Sequence, residues 1–203
     1  MIEVVGEGRI STAPDQAIIT LGVMTEGQNL EAVQKENNEK TANIIRSLMA
    51  MGIPKEDIKT SEYRIDTMYD YVEGRQIFRG YRVTHLLQIT INQVGLTGRV
   101  VDTAVSQGAN TISNIQFTVS KPDAFYNRAL SLAYKDSLSK ATTLASTMGV
   151  VLSKVPASVQ ELTQGSVAPV PYQAGMQAKA LSTPIQPGEV EIVARVLVKY
   201  YFQ

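Results

Sequence analysis

An α+β fold of predominantly antiparallel strands, with the helices packed on the sheets, is predicted for this chain by three observations. Long stretches alternate apolar and polar residues at a period of two. Three other stretches carry apolar residues at spacings of three and four. Gly, Pro, Asn and Asp punctuate the boundaries between them. Read in order, the elements run ββαββαβαββ along 203 residues, enough chain to bury a core without covalent staples.

The first strand carries Ile2, Val4 and Ile10, and the second Ala17, Ile19, Leu21 and Val23, each set on one face of a pleat. Ser11-Thr12-Ala13-Pro14-Asp15 between them holds turn chemistry, so the two are expected to form a hairpin or close strand pair. Gly6 and Gly8 fall on one side of the first strand, where missing side chains admit a bulge or the close approach of another backbone. A phosphate-binding reading of these glycines fails, because Pro14 and a second strand follow them where a helix would have to open.

Asn29 caps a helix over residues 29 to 51 whose stripe is Leu30, Val33, Asn37, Thr41, Ile44 and Leu48, with Gly52 and Pro54 ending it. Asn37, polar within the stripe, reads as part of a solvated face or as a register-fixing residue against a partner helix. Residues 57 to 72 and 76 to 93 form two long strands joined at Glu73-Gly74-Arg75. A short helix over 96 to 107 ends at Gly108, and a strand follows over 111 to 120. Ser120 as N-cap with Pro122 and Asp123 opens the third helix, whose many alanines from Ala129 to Ala145 suit close packing before Gly149 ends it. Strands follow over 151 to 163 and 189 to 202. Between them lies a Pro/Gly-rich arm at about 164 to 188, with Lys179 its only charge, expected to be a mobile arm or an intersubunit contact.

Composition narrows the chemistry. The 19 basic and 19 acidic residues cancel, so no global field draws nucleic acid or an anionic membrane. The chain has no Cys and a single His, which removes disulfides and thiolate metal sites. His85 is the one near-neutral base and sits inside an alternating strand, the place of a structural residue. The carboxylate pairs Asp66/Asp70 and Glu189/Glu191 share strand faces and read as surface charge. No catalytic, cofactor-binding or metal residues are therefore assigned. A small-molecule-binding or hydrolytic role for His85 stands as an alternative. So does weak single-stranded nucleic-acid binding through Tyr63, Tyr69, Tyr71, Phe78 and Tyr81, interleaved with Arg64, Arg75, Arg79 and Arg82. Acidic neighbours in the same hairpin oppose that last role.

Gly6-Glu7-Gly8 with Pro14-Asp15-Gln16-Ala17, Gly52 before Asp57-Ile58-Lys59-Thr60, Gly80-Tyr81, Gly108-Ala109-Asn110 leading to Ile115-Gln116-Phe117, Ala129 through Ala145, and Pro184-Ile185-Gln186-Pro187-Gly188 follow one another along the chain. Together these segments resemble the SIMPL-domain family, whose bacterial members include YggE-like and periplasmic-immunogenic-protein-like chains. The resemblance spans the chain and implies an α+β fold, self-assembly and a link to oxidative-stress protection. It supplies no catalytic residue and no cofactor. One SIMPL-like domain over residues 1 to 203 is expected, as a homo-oligomer whose candidate contacts are Tyr69, Tyr71, Phe78, Tyr172, Met176, Tyr201 and Phe202. No transmembrane or targeting segment is read from the sequence. The chain as it stands reads as cytoplasmic, and as an envelope or secreted protein if an export signal preceded it.

Overall fold

The computed structural model describes residues 1–162, 167–170 and 183–203. It is α+β, with three α-helices and antiparallel sheets in the expected order. The strands are β1 (Ile2–Thr12), β2 (Gln16–Gly27), β3 (Ile58–Val72), β4 (Arg75–Ile91), β5 (Thr111–Thr118), β6 (Leu152–Leu162), β7 (Val167–Val170) and β8 (Glu189–Phe202). The helices are α1 (Leu30–Ala50), α2 (Thr97–Ser106) and α3 (Pro122–Met148). Among the described residues the short β7, inside the Pro/Gly-rich arm, is the one strand that periodicity did not yield.

The described residues fall into two compact units. One comprises residues 1–14, 118–162, 167–170 and 188–203; the other comprises 15–117 and 183–187.

In the first unit β8 pairs with β1 along one side and with β6 and β7 along the other. Its even positions, from Val190 to Tyr200, are all buried and face α3. Ala129, Ala133, Ser137, Ala141 and Ala145 recur every four residues on α3 and are buried against that face. The alanine stripe has a partner in Gly6 and Gly8. A methyl at Gly6 would lie 2.0 Å from the Ala133 carbonyl oxygen, and one at Gly8 2.0 Å from that of Ala129. These glycines thus admit the helix backbone itself. Ser137 Oγ and the Tyr200 hydroxyl, 3.0 Å apart, satisfy each other in the buried layer.

This pairing corrects the expected β1–β2 hairpin: β1 and β2 enter different sheets. A tight hairpin turn needs residues with positive φ, and no residue from Ser11 to Asp15 has one. The partner of β1 is instead β8, in register from Ile2 opposite Tyr200 to Thr12 opposite Val190. At the start of α3 the cap is Lys121, with no side-chain cap bond, in place of the expected Ser120; Pro122 takes the first turn.

The second unit has the strand order β3-β4-β2-β5. Ala17, Ile19, Leu21 and Val23 of β2 and Leu87, Ile89 and Ile91 of β4 are buried with Ile44 and Leu48 of α1 and Val100, Val101 and Ala104 of α2. Asn29 caps α1 as expected, its Oδ1 accepting from Ala32 N at 3.0 Å. Asn37 departs from both expected roles. It is fully buried, and its Nδ2 donates to the carbonyls of Val23 (3.0 Å) and Val83 (3.1 Å) and to Thr25 Oγ1 (3.2 Å). It therefore pins α1 to β2 and β4. Gly108 (φ +105°) ends α2, and Asn110 then bonds both Met24 N (2.8 Å) and Met24 O (2.7 Å), imitating a strand partner where β5 begins.

Candidate functional site

The feature most in need of a role is the β3–β4 hairpin. Its turn is formed by Glu73 (φ +50°) and Gly74 (φ +78°), the two-residue geometry that suits the twist of antiparallel strands. β4 pairs with β2 only from Ile91 to Tyr81, where Tyr81 lies opposite Gly27. Beyond that point β3 and β4 continue as a ribbon of two strands. Gly80 marks the departure: at φ +152° it brings its backbone so close to Gly27 that a methyl there would lie 2.6 Å from the Gly27 carbonyl oxygen.

Register sorts the ribbon's side chains by face. On β3, Tyr63, Ile65, Thr67, Tyr69 and Tyr71 share a face, opposite His85, Val83, Tyr81, Phe78 and Gln76 of β4. That face continues the one α1 covers, where Leu87, Ile89 and Ile91 are buried. Past the helix the apolar surface persists with no cover among the described residues. Tyr69 packs edge-on to Phe78 (5.9 Å between ring centroids), and Phe78 to Tyr81 (5.1 Å). Tyr71 is 75% exposed, and Tyr69 and Phe78 remain exposed with it. The opposite face carries the charge. Arg64 Nε lies 2.8 Å from Asp66 Oδ2, Arg79 pairs with Asp70 at 3.9 Å, and Arg82 with Glu26 at 2.6 Å. Rings and guanidinium groups thus lie on opposite faces, and these three arginines are already engaged with carboxylates. That arrangement speaks against phosphate neutralisation beside a stacked base.

His85, opposite Tyr63, touches its ring edge-on at 5.1 Å and lies 3.2 Å from Thr60 Oγ1 through Nε2. Burial holds its pKa below the ordinary imidazole value, so it is neutral at pH 7. Among the described residues its contacts are thus a hydroxyl and a ring, with no carboxylate to orient it as a base. Of the sequence's carboxylate pairs, Asp66 and Asp70 hold Arg64 and Arg79, and Glu191 holds Arg9 at 3.2 Å.

The other candidate contacts lie elsewhere. Tyr201 is 63% exposed, and with Phe202, Val151, Leu152 and Ser153 it lines a cleft of about 530 Å³. Phe202 also packs against the α3 face of its own unit. Tyr172 and Met176 lie outside the described residues. At the described margins the arm is tied to its own chain: β7 pairs with β8, and Thr183 bonds Asp102 through its amide (3.1 Å) and its hydroxyl. Those two bonds hold the Asp102 carboxyl below its usual pKa.

What sequence reasoning missed here is the outer face of the β1–β8 sheet. Glu7 accepts from Arg195 Nε and Arg9 Nε, each at 2.6 Å, and Glu3 meets Lys199 at 2.9 Å. The two arginines lower the Glu7 pKa. The alternation of Glu3, Glu7 and Arg9 with apolar residues was the available signal, but it required knowing that β8 lies opposite.

Comparison with known proteins matches residues 2–200 to the family described as SIMPL, protein of unknown function (DUF541). The chain is similar to the 26 kDa periplasmic immunogenic protein of Brucella melitensis, at 28% identity over 93% of this chain and 79% of that protein. It is also similar to YggE of Escherichia coli, at 28% identity over 69% of this chain and 57% of that protein. YggE of Edwardsiella ictaluri matches at 25% over 74% and 63%.

Proposed function

We propose that this chain, which belongs to the SIMPL family, acts by assembling with copies of itself through the β3–β4 ribbon, as one domain over residues 1 to 203, and not by catalysis of its own. The observation that carries this reading is the aromatic face of the ribbon. Tyr69, Tyr71 and Phe78 extend a buried sheet face past its helical cover and stay exposed. Contiguous apolar surface of this kind marks interaction sites. A rigid aromatic surface also loses little side-chain entropy on docking.

The name of the Brucella relative places that protein in the periplasm, and we assign the same compartment here. The link to oxidative-stress protection that the family resemblance implies belongs, in this reading, to the assembly. With no Cys in the chain, thiol redox chemistry has no residue to use.

The test is molar mass in solution by size-exclusion chromatography with light scattering over a concentration series. A multimer that dissociates on changing Tyr71 and Phe78 together to Ser, with secondary structure retained, is expected. A monomer near 22.1 kDa at every concentration overturns the proposal.

A further inference from the structure

Sheet edges are dangerous surfaces, and natural proteins blunt them. Here two of the outer strands are blunted visibly. On β1 the outward backbone is occupied by α3: Asp136 Oδ2 accepts from Glu7 N at 2.9 Å, and Lys140 Nζ donates to Val5 O at 3.0 Å. On β6, Pro156 sits within the strand and the register shifts on both sides of it. The third, β5, is only 8 residues long. β3 is different. It runs for 15 residues at the end of its sheet, contains no Pro and no buried residue, and has no partner on its outer side among the described residues.

We propose that β3 pairs antiparallel with β3 of a second copy around a twofold axis at Ile65, joining two four-stranded sheets into one; this rests on the self-assembly reading above. Three observations converge on that residue. Ile65 is the midpoint of Ile58–Val72, so this register pairs the strand on both sides of the axis as far as the bulge at Ser61. The ladder to β4 is regular from Glu62 to Met68, a stretch centred on Ile65, between the extra residue Ser61 of β3 and the extra residue Arg79 of β4. The charges are self-complementary: Arg64 falls opposite Asp66 of the second copy and Asp66 opposite its Arg64, while Glu62 meets Met68.

Neighbouring registers are poorer. An axis at Arg64 sets Arg64 against itself and Glu62 against Asp66; one at Asp66 sets Asp66 against itself and Glu62 against Asp70. Axes at Tyr63 or Thr67 avoid like charges but leave Tyr69 to Val72 or Ile58 to Ser61 without a partner. The Ile65 register also places Tyr63 beside Thr67 of the other copy, on the same face as the ribbon's aromatic residues. One continuous apolar face then runs across both copies.

The chain's lack of Cys makes the test clean. In a twofold antiparallel pair the axis residue faces its own copy at a Cα separation of about 4.5 to 5.5 Å, within disulfide reach. Tyr63 would face its own copy only at about 13 Å, out of reach. Ile65→Cys is therefore expected to form a disulfide-linked dimer under mild oxidation. Tyr63→Cys and Thr67→Cys singly are not, and the two combined in one chain are. Arg64→Glu should weaken dimerisation by about tenfold, and Arg64→Glu with Asp66→Arg should restore it. If the unmodified chain is multimeric and Ile65→Cys fails to cross-link while folding normally, β3 pairing is overturned and the self-assembly reading stands. If the unmodified chain is monomeric throughout, both fall.

Discussion

Replacing Gly6 or Gly8 by Ala tests the packing on which the β1–β8 sheet depends. Each added methyl would sit 2.0 Å from a carbonyl oxygen of α3, with further atoms at 2.8 Å from Gly6 and 2.6 Å from Gly8. Several of these atoms are backbone, so relief requires shifting the helix or the strand. Neither has slack, because Ala129, Ala133 and Ser137 are fully buried on one side and Ala194 and Val196 nearly so on the other. Overpacking costs about 1 to 3 kcal/mol and sometimes more. Restricting the unfolded chain returns only about 0.4 to 1 kcal/mol. With contacts this short the upper end applies, and each variant is expected to lose about 2 to 3 kcal/mol. For a chain of this size that lowers the melting temperature by roughly 4 to 12 °C. Chemical denaturation followed by circular dichroism, with urea midpoints compared at equal slope, measures it. A pair of variants each within about 0.5 kcal/mol of the parent would refute the backbone-to-backbone approach of α3 and β1.

Asn37→Ala is expected to cost about 1 to 3 kcal/mol in the same assay, because it removes the donor shared by the Val23 and Val83 carbonyls inside the core. Tyr200→Phe should cost less, about 0.5 to 1.5 kcal/mol, since Ser137 Oγ keeps its bond to the Tyr134 carbonyl. His85 gives a pH dependence. Its folded-state pKa lies below the unfolded value of about 6.5, so the unfolded chain binds the extra proton first. Stability should then be level above that pH and fall as pH drops through it. His85→Gln should flatten the fall between about pH 7 and pH 5, and an unaltered slope in urea titrations would show that His85 is not its source.

Much of the second unit was legible because its signals are local. Asn29 caps α1, Gly52 lies just past its end, and Glu73-Gly74 turns the hairpin where the alternation breaks. The first unit hid its topology because β1 finds its partner at the far end of the chain, beyond the reach of any window of periodicity. Asn37 was misjudged because a polar residue in an apolar stripe signals only that something answers it. The answer, two strand carbonyls, exists only after the sheet has formed. Within the candidate site the aromatic residues were visible as types, and their common face was not. The register shift between Met68 and Tyr69 leaves Arg79 unmatched and sets Phe78 against Tyr69.

β8 is the partner that β1, β6 and β7 have in common, and among the described residues none of those three pairs with another strand. The order of synthesis then matters. As the chain leaves the ribosome, residues 15–117 can close most of their unit early. The alanine face of α3 and the apolar edge of β1 must wait until the last strand emerges. A nonsense or frameshift lesion ahead of Glu189 would strand three orphan strands and a sticky helix at once, the profile of a substrate for quality-control proteases.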